Sequence, residues 1–194
     1  MANLPLAFGE LLAGGVLLTA GISGSSPADV LAGNVSLKRF DAGGSAATAP
    51  AAAGAGGANP FAHAKGYKLG RTDMGVDATM KPGSRIDAPF PSKLVGITPN
   101  WYRGQPGMFF QITSGPHKGK FWFLAEQIVP GLKVGNSVAA GQQVATYAGQ
   151  GTGIEIGWAA NSSQTLAQGT TGYVEGQVTK AGQSFLDFLH SVGA

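Results

Sequence analysis

From Tyr67 onward, apolar and polar residues alternate in short runs cut by glycine and proline. Period-two alternation of this kind is the signature of half-buried strands. It predicts strands at Lys93–Ile97, Met108–Thr113, Lys120–Leu124, Gln143–Tyr147 and Gly153–Trp158. Pro89, Pro91, Pro99, Pro106 and Pro116 keep the intervening segments short, as in an antiparallel sheet built from hairpins. Near the end the period changes to that of a helix. Thr179 is a capping residue for a helix over Lys180–Val192, whose buried stripe is Phe185, Leu186, Leu189 and Val192 with Phe188 beside it.

The N-terminal third has a different texture. Leu4 to Ile22 carries one charge, Glu10, and its strongest apolar run, Leu11–Ile22, is shorter than the roughly 20 residues that span a bilayer. Three readings stay open: a helix packed on copies of itself or a partner, a membrane-inserted segment (residues 4–22), or a signal sequence. The Ala-Gly pairs favour close helix packing, and the absence of a positive n-region argues against a signal. Ser26-Pro27-Ala28-Asp29 opens a second short helix that Gly33 can end. Asp41 to Asn59 is nearly all Ala and Gly and has nothing large to bury, so it reads as a flexible linker. The expected organisation is a helical anchoring or packing segment over 1–40, a linker over 41–66 and a β domain with its C-terminal helix over 67–194.

Composition sharpens this picture. With 32 glycines and 12% charged residues in 194, the chain is rich in turns and poor in charged helical faces. The net charge of +3 is dispersed, with Lys38-Arg39 the only adjacent basic pair, which excludes a nucleic-acid patch. Cysteine is absent, so disulfides, thiolate zinc ligands and a thiol nucleophile are excluded.

The chemistry centres on Arg71-Thr-Asp-Met-Gly-Val-Asp77. This stretch resembles the strand motif His-x-Gly-x-Asp of the lysostaphin/LytM-type zinc endopeptidases, which cut peptidoglycan cross-bridges. Leu132–Ala145 resembles the family's Gly-cornered V-x-x-G-x-x-V-x-x-G-Q-x-I segment, and Gly119–Ala125 resembles the strand ending Tyr-x-His-Leu. Ala148–Gly153 resembles the approach to the terminal His-x-His motif, so the likeness runs in order from about Lys68 to Ala159. It implies a mainly β fold, an antiparallel sheet or sandwich of the lysostaphin-type peptidase.

Four positions of that family's site are altered here and one is kept. The resemblance places Asp73 and Glu155 where zinc-ligating histidines belong, keeps Asp77 as the ligand aspartate, and puts Phe123 and Gly153 at the two assisting histidines. Zinc sites are built from imidazole, thiolate and carboxylate, whereas an all-oxygen set suits a harder divalent cation. Asp73, Asp77 and Glu155 are therefore the candidate carboxylate cluster, with no zinc cofactor expected. The competing arrangement pairs these acids with Arg71, Arg85 or a backbone amide. His63, His117 and His190 read as surface residues. Trp101, Tyr102 and Arg103 lie in a Pro/Gly-bounded loop and are candidate binding residues, whereas Phe121-Trp122-Phe123 and Trp158 read as core.

Three function classes follow. The first is a non-catalytic structural or interaction protein, a phage virion tail component that assembles as a homo-oligomer with other virion proteins and contacts the cell wall. The resemblance to small actinobacteriophage proteins (Ala/Gly-rich composition, the apolar N-terminus and the ending Ile154–Ala159) carries that expectation. The second is a membrane-anchored, peptidoglycan-binding or hydrolase-regulating module at the cell surface. The third is a metal-dependent hydrolase with a carboxylate site.

Overall fold

The computed structural model describes residues 56–149 and 152–194. The expectations for residues 1–40, and those for 41–55, lie outside the described residues. No helix among the described residues is long and apolar enough to cross a membrane.

The fold is mainly antiparallel β, as the alternation predicts. Its strands are β1 (Lys68–Leu69), β2 (Val76–Thr79), β3 (Arg85–Asp87), β4 (Ser92–Tyr102), β5 (Gln105–Ile112), β6 (Phe121–Glu126), β7 (Ile128–Pro130), β8 (Ser137–Val138), β9 (Gln143–Tyr147) and β10 (Ile154–Ala159). One helix, α1 (Lys180–Ser191), follows them. A seven-stranded sheet has the order β1-β2-β10-β6-β5-β4-β8, and a three-stranded sheet the order β3-β9-β7.

Alternation sorts the side chains of the large sheet. Met108, Phe110 and Ile112 of β5, Trp122 and Leu124 of β6, and Ile154, Ile156 and Trp158 of β10 join one core with Ile86, Ile128, Val144 and Tyr147 of the small sheet. Phe185, Phe188 and Leu189 of α1 close that core. Trp122 stacks on Phe110 at a centroid distance of 4.1 Å, and its indole N–H donates to Ser92 Oγ at 2.9 Å. The polar tip of a fully buried ring is thereby satisfied. The opposite face holds a smaller cluster of Met74, Phe109, Phe123, Ala125, Ala159 and Ala167. That face carries the candidate site.

Two expected boundaries move. Residues 56–66, read from composition as the end of the linker, belong to the folded domain. Phe61 is fully buried against Tyr67, Asp87 N–H donates to Pro60 O at 2.9 Å, and Asn59 Nδ2 donates to Gly193 O at 2.8 Å. Burial of Phe61 and Ala64 and these hydrogen bonds together hold the strap on the core. In addition, the Asp73–Asp77 motif is strand only from Val76 onward, since Asp73–Gly75 form the bend that leads into β2.

Helix α1 begins against that bend. Thr179 caps it by accepting from Gly182 N–H at 3.0 Å while its hydroxyl donates to Asp73 O. Gln183 Nε2 donates to Thr72 Oγ1 at 2.6 Å. A Cβ at Gly182 would lie 2.6 Å from Thr72 O and 2.8 Å from Gly75 O, so only glycine permits this contact. Replacing a helical glycine by alanine ordinarily gains up to about 1 kcal/mol. Gly182→Ala is expected to reverse that sign and cost about 1–3 kcal/mol, as overpacking does. Chemical denaturation of the two proteins measures it.

Candidate functional site

Strand pairing builds the site. β10 pairs with β2 so that Glu155 stands opposite Asp77, which puts both carboxylates on one face. Asp73 arrives from the preceding bend. One carboxylate oxygen from each of Asp73, Asp77 and Glu155 lies within 4.8 Å of the other two. Asp73 and Glu155 are buried and Asp77 is half-buried. The sequence-predicted cluster is therefore assembled as a unit.

Its partners are the ones the competing arrangement named, with one exception. Arg71 Nη2 lies 3.1 Å from Asp73 Oδ2, and Arg71 Nε lies 3.4 Å from Asp77 Oδ2. Gly75 N–H donates to Glu155 Oε1 at 2.7 Å. Arg85 is engaged elsewhere: it pairs with Asp87, which also meets His63 Nδ1 at 2.7 Å. The Arg71–Asp73 contact is close enough for charge pairing but is not aligned as a hydrogen bond. Both buried Asp73 oxygens consequently lack a donor among the protein's own groups.

Burial sets the protonation of this group. The Glu155 carboxyl is pushed up to about 9, first by desolvation and then by the neighbouring Asp73 charge, with the Gly75 amide opposing. A proton held on Glu155 at neutral pH supplies Asp73 with the donor it lacks. Asp77 is raised to about 6, chiefly by burial, although Arg71 pulls the other way.

The remaining positions are closed to acid–base chemistry. Phe123 is fully buried, 5.9 Å from Trp101 and 6.3 Å from Phe109 between ring centroids. Gly153 has φ 107°, and a Cβ there would lie 2.6 Å from Ala78 O. No side chain fits at that position. None of the three histidines belongs to the carboxylate group or lines the adjoining cleft. His117 is not a plain surface residue: its ring sits among Phe90, Trp158 and Phe188, and burial followed by the Lys120 charge lowers its pKa. His63 is exposed as expected, and its ring anchors the 56–66 strap to Asp87. The donor set does not fit zinc. It offers no imidazole, and a guanidinium already contacts two of its three carboxylates.

The cluster borders a cleft of about 600 Å³ lined by Arg71, Asp77, Trp101, Tyr102, Glu126 and Glu175 among others. Asp77 of the carboxylate cluster thus shares one cavity with Trp101 and Tyr102, which end strand β4 and do not lie in the expected loop. Arg103 is outside the lining and lies over the exposed Tyr102 ring at 5.2 Å. Sequence reading missed Glu126, Thr98, Asn100, Ser163, Gln168 and Glu175. Glu126 had no legible signal, since its φ of 76° is rare for a non-glycine residue. The Thr170–Gly176 segment supplies Glu175 to the cleft wall, and Tyr173 donates to it.

Both raised carboxyls bind protons more tightly in the folded state than in the unfolded one, so their stabilisation is lost as pH rises. The unfolding free energy is expected to fall between about pH 4 and pH 9, through the windows of Asp77 and Glu155. Glu155→Gln keeps the acceptor for Gly75 and an N–H donor for Asp73 without a charge. It is expected to flatten the profile and to exceed the parent at pH 9 by at least about 1 kcal/mol. Denaturation midpoints at pH 5, 7 and 9 check this.

No protein-family model matches the chain, and no curated protein matches it. Solved structures do. The antimicrobial peptidase lysostaphin from Staphylococcus simulans is 19% identical, with a TM-score of 0.47 over 73% of this chain and 56% of that one. The solution structure of lysostaphin is 19% identical, with a TM-score of 0.48 over 71% of this chain and 55% of that one. A Pseudomonas aeruginosa protein assigned to peptidase M23 is 19% identical, with a TM-score of 0.42 over 58% and 48%. The chain spans about half the length of each of these structures. An identity of 19% leaves the site's chemistry to its own side chains.

Proposed function

We propose that this domain is a non-catalytic interaction module, a lysostaphin/LytM-like β domain that keeps a cleft and has lost hydrolysis. One observation carries the reading. Phe123 and Gly153, at the two places that the sequence resemblance assigns to assisting histidines, are sterically committed to packing and to a close backbone approach. Water activation needs a base within hydrogen-bond reach and an ion with an open position. The cleft offers neither an imidazole nor a zinc donor set. It does offer what binding needs: a concave wall with two aromatic rings and several polar side chains.

The ligand this supports is peptidoglycan or a wall-derived peptide, met by Trp101 and Tyr102. The proposed setting is a phage virion tail, where copies of the chain assemble through the apolar N-terminus with other virion proteins. Sequence composition and motif resemblance support that setting. Ring-like multimers of fixed stoichiometry in native mass measurements of the full chain would agree with it. A monomer held in lipid by residues 4–22 would favour the membrane-anchored, wall-binding alternative.

Sedimentation of the full chain with purified peptidoglycan tests the binding role. Trp101→Ala is expected to weaken retention roughly tenfold, as loss of an aromatic anchor does. No cross-bridge fragments are expected from the parent protein with zinc, manganese or calcium present. Fragment release that a chelator abolishes would sink the reading.

A further inference from the structure

Three carboxylates gathered in a mostly buried space need compensating positive charge. Oxygens no more than 4.8 Å apart can share one ion, because a calcium-type cation sits about 2.4 Å from each oxygen ligand. Asp73 adds a second sign of a cation-shaped place, since both its oxygens are fully buried and, the Glu155 proton aside, lack a hydrogen-bond donor. The cation facing this group is Arg71. Two of its nitrogens, Nη2 and Nε, reach separate carboxylates, at 3.1 Å on Asp73 and 3.4 Å on Asp77. A guanidinium cannot be deprotonated in this setting and presents its donors in a rigid fork.

We propose that Arg71 is the resident cation of the carboxylate cluster, standing in for a metal ion and closing the site to divalent cations. The chain supplies its own positive charge, so the fold is indifferent to chelators. Glu155, which Arg71 does not contact, is balanced by its proton and by the Gly75 amide. Removing the Arg71 charge leaves Asp73 and Asp77 uncompensated beside Glu155, which makes an all-oxygen site for a hard divalent cation such as manganese or calcium. This holds whatever the cleft binds, and whether or not the domain hydrolyses anything.

Isothermal titration calorimetry and thermal unfolding of the full chain, with manganese chloride and with calcium chloride, test it. The parent protein is expected to bind neither ion at concentrations up to about 1 mM, the weak end of protein calcium sites, and to keep its Tm. Arg71→Gln is expected to lose stability, to bind one ion with a Kd of roughly 10⁻⁵–10⁻³ M, and to regain Tm on binding. Adding Asp77→Asn to that variant is expected to abolish the binding. Should Arg71→Gln fail to fold alone, its refolding only when ion is present supports the same conclusion. An Arg71→Gln protein neither bound nor rescued by either ion overturns the proposal. So does a parent protein that binds an ion in a manner lost on Asp77→Asn.

Discussion

The arrangement of this domain depends on a strand that is dry on both faces. All six residues of β10, Ile154 to Ala159, are buried between β2 and β6. A strand must send alternate side chains to opposite faces. Ile154, Ile156 and Trp158 therefore fill the main core, and Glu155 is forced into the other, equally enclosed, side. A carboxyl in that position must be neutralised or hydrogen-bonded: Glu155 holds a proton and accepts from the Gly75 amide, while Arg71 pairs with the two neighbouring carboxylates. The Gly75 amide, the Asp73 and Asp77 carboxylates and the Arg71 guanidinium are all arranged around that one buried acid.

The supports of this group come from elements distant in sequence. Helix α1 is tied at its first turn to the Thr72–Gly75 bend through Thr179, Gly182 and Gln183. The same helix packs Phe185 and Leu189 into the main core. Packing of the C-terminus and placement of Asp73 are thus one mechanical unit. On the far wall of the cleft, the β4–β5 hairpin brings Trp101 against Phe109 and Phe123, so the buried Phe123 ring also steadies a ring of the cleft wall.

Much of the fold was legible along the chain. Gln143–Tyr147 is a strand over the residues that alternation indicates, and the Gly-cornered segment before it turns at Gly135 and Gly141, both at positive φ. Thr179 caps the last helix as its residue type suggests. The β4–β5 hairpin runs longer than expected, through Pro99 and Pro106, because a projecting, half-exposed hairpin end tolerates proline. The strap at 56–66 was hidden because one aromatic residue after an Ala/Gly run sets no period. Of the candidate binding residues, Trp101 and Tyr102 line the cleft and Arg103 does not, a distinction that depends on which way a hairpin tip faces.

The sequence by itself determined the strand alternation and the capped helix. Those properties are local: they depend on residue type and on spacings of two to four. Only the tertiary structure decided that Asp73, Asp77 and Glu155 meet, that Arg71 lies between two of them while Arg85 serves Asp87, and that Trp101 and Tyr102 at the end of β4 line a cleft with Asp77. Those facts rest on the pairing of β2 with β10 and the docking of α1 across separations of about 80 to more than 100 residues. Charge balance and proton affinity belong to the three-dimensional neighbourhood, because both depend on the dielectric and on which charges stand close by.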